Sequence, residues 1–305
     1  MRPERGEDMN GSAFTKFHPV VNFIFFIFAI AMTVVVFHPA ALAVSLVMSI
    51  ITAVKFAGKK ALKYFFAFPF VIMIISVILN PLFVHKGLTV MFYLGEGPVT
   101  VEALVYGACT AMMIGAVIMW SYCYSQIMTS DRFMAVFGKA APSTSLVFSM
   151  ILRFLPRAKS HAGKIAAAQD LLCAGGESAP ENKRSKVRKG MRVMSVLTTW
   201  ALENSIDTAD SMRARGYGLA GRTMYRKYSF RGADIAAAVI MTAIAVWMFA
   251  EKAAGGWMFY AYPQIMTGSR TEAAVLSIAM ALFYAVPFII ETWEDIRWNR
   301  SVSKI

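Results

Sequence analysis

Two arginines close the stretch Ser211-Met-Arg-Ala-Arg-Gly-Tyr-Gly218, where Gly216 and Gly218 are expected to stop a helix. Arginine presents a rigid fork of donors that matches carboxylates and the carbonyls at the end of a partner's helix. At a helix C-terminus, Arg213 and Arg215 also complement the dipole. A protein-docking contact is one reading of the pair. A solvated helix end, or side chains snorkelling to lipid headgroups, is the other. Residues arranged for covalent or metal chemistry are missing from the sequence. Gly58-Lys59 and Gly138-Lys139 lack the earlier glycine and the following hydroxyl of a phosphate loop, so this chain is not expected to hydrolyse ATP. His18, His38, His85 and His161 are scattered without a His-x-x-x-His pair and predict no metal site. Cys109, Cys123 and Cys173 have neither metal spacing nor the number for a disulfide framework, and read as packing residues in thiol form. The chain is therefore expected to need no cofactor and to be no enzyme.

The elements that must carry the arginine pair are membrane helices. Of the 305 residues, 57% are hydrophobic and 16% charged. A soluble domain carries nearer a quarter charged residues. The net charge of +13 could fit nucleic acid, but here it is segregated from the apolar runs, so membrane orientation explains it better. Apolar runs occur at about 19–37, 39–54, 64–84, 102–124, 232–251 and 272–291. Most have the roughly 20 residues that a spanning helix needs. The first two share a tight turn at Phe37-His-Pro-Ala40, and the second is short, so a tilted hairpin is an alternative to two full spans. The expected fold is an all-α polytopic membrane protein with about six spans. Four fall in 1–124 and two in 232–305, around a basic segment at 125–231.

Lys and Arg set the orientation. The segment 125–231 holds eighteen of the 31 basic residues, and Lys55, Lys59, Lys60 and Lys63 occupy the 55–63 loop. The loops on the other side are nearly free of them, which places both termini and the long segment in the cytoplasm of a plasma-membrane protein. The polar first eighteen residues and the missing cleavage pattern predict no cleaved signal peptide. Within the long segment, a helix is expected from Pro142 through Pro156, and another over Ile165–Leu172. Gly175-Gly176, Pro180 and six basic residues between 183 and 192 predict an exposed connection over 175–190. A further helix then runs from about Met191 to Arg215. Along it, Leu202, Ile206 and Ala209 form an apolar stripe beside an acidic one of Glu203, Asp207 and Asp210.

The spans contain almost no ionisable residues, which argues against an ion or proton pathway. Asn22, Asn80 and Gln126 lie near predicted span ends and are expected to face the interface. Gly107, Ala111 and Gly115 allow a close helix approach, either within the chain or to a partner. The 21 methionines offer adaptable packing surface of the same double meaning.

Taken together, Arg153-Phe-Leu-Pro156, Ala168-Gln169, Ser211-Met-Arg-Ala-Arg-Gly-Tyr217 and the terminal Trp298 to Ser303-Lys-Ile305 resemble the transmembrane T component of energy-coupling factor transporters. The resemblance runs from Phe17-His-Pro19 to the terminus. It implies a scaffold whose two long coupling helices each end in an Ala-Arg-Gly-like motif and rest on two cytoplasmic ATP-binding cassette ATPase subunits. It further implies a small membrane partner, the S component, that captures a vitamin or transition-metal ion. The contact residues it implies are Ala214, Arg215 and Gly216, flanked by Arg213, with Arg153 in the other motif. One departure stands out. The first Ala-Arg-Gly motif should fall at Leu171, Leu172 and Cys173, so a leucine occupies the arginine position. A membrane-embedded enzyme would need a His, Asp or Glu cluster at the span ends, and a stand-alone channel or carrier would need charge within the spans. The chain shows neither.

Overall fold

A computed structural model of the chain describes residues 14, 17–85, 87–94, 97–137, 142–174, 183–217 and 232–302. Contacts divide it into two units, Met1–Val136 with Tyr228–Ile305, and Phe137–Lys227. The first unit is a helical bundle. It opens with α1 (Pro19–Val35) and α2 (Pro39–Ala57), each begun by a proline whose fixed φ suits the first helical position. The His18 ring accepts the Val20 amide at 3.2 Å and caps α1. With 19 residues, α2 is long and apolar enough to cross a membrane, while α1 has 17 residues, near the lower limit for a span.

The apolar run at 64–84 is two helices, α3 (Lys59–Ala67) and α4 (Pro69–Phe83). Phe68 breaks them at φ −130°, ψ −64°, since a residue before proline is driven out of the helical region. A short antiparallel hairpin follows, β1 (Val90–Leu94) with β2 (Gly97–Thr100), and then α5 (Val101–Ile127), capped by the Thr100 hydroxyl on the Ala103 amide. The chain continues through α6 (Ser130–Phe137), α7 (Pro142–Ala174), α8 (Lys183–Ala214) and α9 (Gly232–Ala253). A second hairpin, β3 (Phe259–Tyr260) with β4 (Met266–Thr267), leads into α10 (Arg270–Val302). Among the described residues, five helical stretches are long and apolar enough to span: α2, α3 with α4, α5, α9 and α10. The protein is an all-α polytopic membrane protein.

Helix α5 is the packing centre of this unit. A Cβ placed on Gly107 would lie 2.9 Å from Asn80 Cβ of α4, and one on Gly115 would lie 2.5 Å from Met73 Sδ. The Gly107–Ala111–Gly115 row is thus spent on packing within the chain. Phe25, Phe26, Trp120, Phe283 and Tyr284 fill the core, with Phe25 stacked on Phe283 at 5.3 Å and Trp120 tilted against Tyr284 at 5.1 Å. Inside this apolar core lies a polar joint. Thr33 Oγ1 stands 2.8 Å from Ser45 Oγ and 2.9 Å from Tyr284 Oη, and the Trp120 indole donates to Ser45 Oγ at 3.2 Å. Four helices (α1, α2, α5 and α10) meet there. In a bilayer such bonds replace the water that hydrocarbon cannot supply.

Asn22 corrects one expectation. It does not face the interface: it is fully buried, and neither amide atom has a hydrogen-bond partner among the described residues. The burial comes from tertiary packing around the start of α1, where Phe14 sets its ring against Phe25 and Phe26. Asn80 likewise buries its Oδ1 where α4 meets Gly107, while Gln126 is half-buried.

At the hairpin end of the bundle, His38 is buried and its ring meets Phe259 at 6.0 Å. Burial, and then the Lys252 ammonium, hold its pKa below the ordinary histidine value. Burial also pushes the Tyr262 phenol up, with Tyr106 and Glu102 adding to the shift. Glu102 is the carboxylate that the run at 102–124 concealed. It is buried and accepts the Thr89 amide at 3.2 Å, tying the first hairpin to α5.

The second unit is an antiparallel pair of long helices, α7 and α8. The Trp200 indole is stacked by Phe154 at 5.6 Å and His161 at 4.0 Å, two helical turns apart on α7. Asp170 pairs with Lys189 nearer the connection. Two expectations change here. Helix α7 is continuous, with Pro156 inside it, rather than two pieces. Helix α8 begins at Lys183, so 183–190 is helical rather than a connection. Lysine and arginine are good helix formers, and one exposed glycine, Gly190, costs only about 1 kcal/mol. Residues 175–182 lie outside the described residues.

Candidate docking site at the end of helix α8

The Arg215 backbone is held by a glycine-terminated cap. Gly216 sits at φ +74°, the left-handed conformation that glycine adopts at little cost. Its amide donates to the Arg213 carbonyl at 3.0 Å, and the Tyr217 amide donates to the Met212 carbonyl, also at 3.0 Å. This crossed pair satisfies carbonyls that would otherwise be left open at the helix end. The Ala214-Arg215-Gly216 element is therefore a structural stop whose middle residue is displayed at a defined place.

The two arginines differ in their surroundings. Arg213 Nη1 reaches back to Asp210 Oδ1 at 3.7 Å, a pair of i, i+3 spacing with both side chains exposed. Such a pair is weak in water. Arg215 is exposed and has no ion-pair partner among the described residues. Its five donors are open to a ligand from outside the unit.

The stripes on α8 also lie on the surface. Leu202 and Ile206 are each 63% exposed, and Glu203, Asp207 and Asp210 are exposed beside them. On α7, Val147, Ile151 and Leu155 form a second exposed apolar row at i, i+4 and i+8. Arg153 is exposed within that stretch, while Gln169 Oε1 is buried without a partner among the described residues. The helix pair thus buries little beyond its Trp200 seam, and its outer faces mix apolar and charged side chains.

The two motif positions are well separated. Leu172 and Cys173 fall in the last turn of α7, just past the Asp170–Lys189 contact; their side chains lie outside the described residues. Arg215 lies about 39 Å of helix beyond Lys189 along α8. The structure therefore brings Ala214, Arg215, Gly216 and Arg213 together, and sets Leu172 and Cys173 at the opposite end of the pair. Phe154, His161 and Trp200, to which the sequence alone assigned no packing role, join the two helices between those ends. Their signal in the sequence was aromatic character two turns apart on α7.

Among the described residues, no group of His, Cys, Asp or Glu could hold a metal ion. No protein-family model matches this chain, and no curated protein is similar to it.

Proposed function

We propose that the protein is the transmembrane coupling subunit of an energy-coupling factor importer. In this reading the basic segments face the cytoplasm. Two ATP-binding cassette ATPase subunits dock at the two ends of the α7–α8 pair, and an S component in the membrane captures a vitamin or transition-metal ion. ATP-driven opening and closing of the ATPases moves the helix pair, which passes the motion to the S component. The chain itself carries out no catalysis.

One observation supports this reading above the others: Arg215 is exposed, has no ion-pair partner among the described residues and is fixed at its backbone by the Gly216 cap. A guanidinium so placed can enter a groove on a partner without first breaking a contact of its own. The Trp200 stack supports the mechanical part, because a lever transmits motion only if its two helices do not slide. At the far end Leu172 replaces the arginine of the resemblance, so the contact there is neutral or is carried by nearby Lys164 and the 183–192 cluster, and the two ATPase contacts are unlike.

The test is co-purification with uptake. ATPase subunits should accompany the protein from its native membrane. Arg215→Glu should release one of them and abolish uptake while leaving membrane insertion intact. Normal uptake by that variant would rule out the coupling role. Leu172→Arg should keep or strengthen docking.

A further inference from the structure

Helix α3 carries a patch that the coupling role does not use. Lys59, Lys60 and Lys63 are all exposed, and none has an ion-pair partner among the described residues. The same surface exposes Leu62 and Phe66. The opposite face is locked: Ala61 and Phe65 are buried, and Tyr64 stacks on Tyr122 of α5 at 4.5 Å. At the neighbouring end of α2, Lys55 lies over the Phe288 ring at 5.9 Å. Four ammonium groups therefore gather at one end of the bundle on a backbone that cannot turn away.

Length sets the depth of this patch. Helix α4, with 15 residues, covers about 22 Å, short of the roughly 30 Å hydrocarbon core. The remaining distance takes about five further residues at 1.5 Å each, which uses up the apolar end of α3 from Tyr64 to Phe68. Lys59 to Lys63 then stand at the level of the lipid headgroups. There Leu62 and Phe66 point toward acyl chains, while the lysine stems carry their charges to the phosphates.

We propose that the lysine face of α3 binds the headgroups of anionic phospholipids, holding one or a few of them against the bundle. The charge complement is direct, and the membrane placement supplies the lipid as the occupant. Zwitterionic lipid, whose headgroup carries its own cation, offers no net charge to the patch. Near a membrane surface each lysine strengthens such binding by roughly five-fold.

The test counts bound lipid on the delipidated full-length protein by native mass spectrometry. Phosphatidylglycerol should be retained and phosphatidylcholine lost. The combined variant Lys59→Gln, Lys60→Gln, Lys63→Gln should weaken phosphatidylglycerol binding by about a hundred-fold. The matching lysine-to-arginine variant should keep it, and raised salt should weaken it in the wild type. Equal retention of phosphatidylcholine, or unchanged phosphatidylglycerol binding in the glutamine variant, would overturn the proposal. Full displacement by millimolar glycerol phosphate would assign the patch to a soluble anion and overturn it as well. Should the glutamine variant not fold, Lys63→Gln alone and the wild-type salt series decide, and binding indifferent to both defeats the idea.

Discussion

The Tyr284 hydroxyl lies 2.9 Å from Thr33 Oγ1, joining α10 to α1 across 251 residues of sequence. Thr33 also meets Ser45 and donates to its own Ala29 carbonyl, so one side chain organises three neighbours. Thr33→Val keeps the shape and removes every one of these bonds. Interhelical hydrogen bonds in membranes are worth about 0.6 kcal/mol on average and up to about 1.7. A loss of about 1–2 kcal/mol is expected, read as a lower unfolding midpoint in detergent. A double-mutant cycle with Tyr284→Phe should show coupling. Additive losses would mean that the joint is not cooperative.

The Gly216 cap separates display of Arg215 from its charge. At φ +74°, Gly216→Ala should strain the helix end by about 1 kcal/mol and loosen the last turn. Retention of the ATPase subunits should fall even though Arg215 is still present. Arg213→Gln, which removes only an exposed pair, should change retention little. Equal effects of the two changes would show that the cap geometry is irrelevant to docking.

Two glycines of one row should behave differently. A methyl on Gly107 meets Asn80 at its Cβ, an atom that moves only with the α4 backbone. On Gly115 the obstacle is Met73 Sδ, far out on a flexible chain that can swing aside. Gly107→Ala is therefore expected to destabilise by about 1–3 kcal/mol and Gly115→Ala by less than about 1. Thermal unfolding of the pair checks the order.

His38 should make stability sensitive to acid. Its folded pKa is depressed below the ordinary 6.5, so the unfolded chain binds its proton first. Stability from this group is complete above about pH 6.5 and declines as pH falls toward the folded pKa. His38→Gln should flatten that decline in a series of melts between neutral and mildly acidic pH. An unchanged slope would place the acid sensitivity elsewhere.

Much of the architecture was legible because its causes are local. Hydrocarbon length is a property of each apolar run, and it located the spans; Gly216 stopped α8 where its freedom at positive φ allowed. The α3–α4 break followed Pro69 in the same way, although the run at 64–84 hid it. Charge and glycine in 175–190 were weaker guides, since a basic, glycine-containing stretch still forms helix when a neighbouring helix pairs with it, as Asp170 does with Lys189.

The sequence by itself determined the polytopic helical class, the segregation of its basic residues and the helix-ending motif around Arg215. Only the tertiary structure decided which polar groups lie inside. Asn22 is buried at a helix start where Phe14 packs on Phe25, and Thr33 is satisfied because Ser45 and Tyr284 arrive from distant segments. It also decided that Arg213 is paired while Arg215 is open. Span length and helix stops depend on neighbours along the chain. Burial and hydrogen bonding depend on neighbours in space, which no single segment specifies.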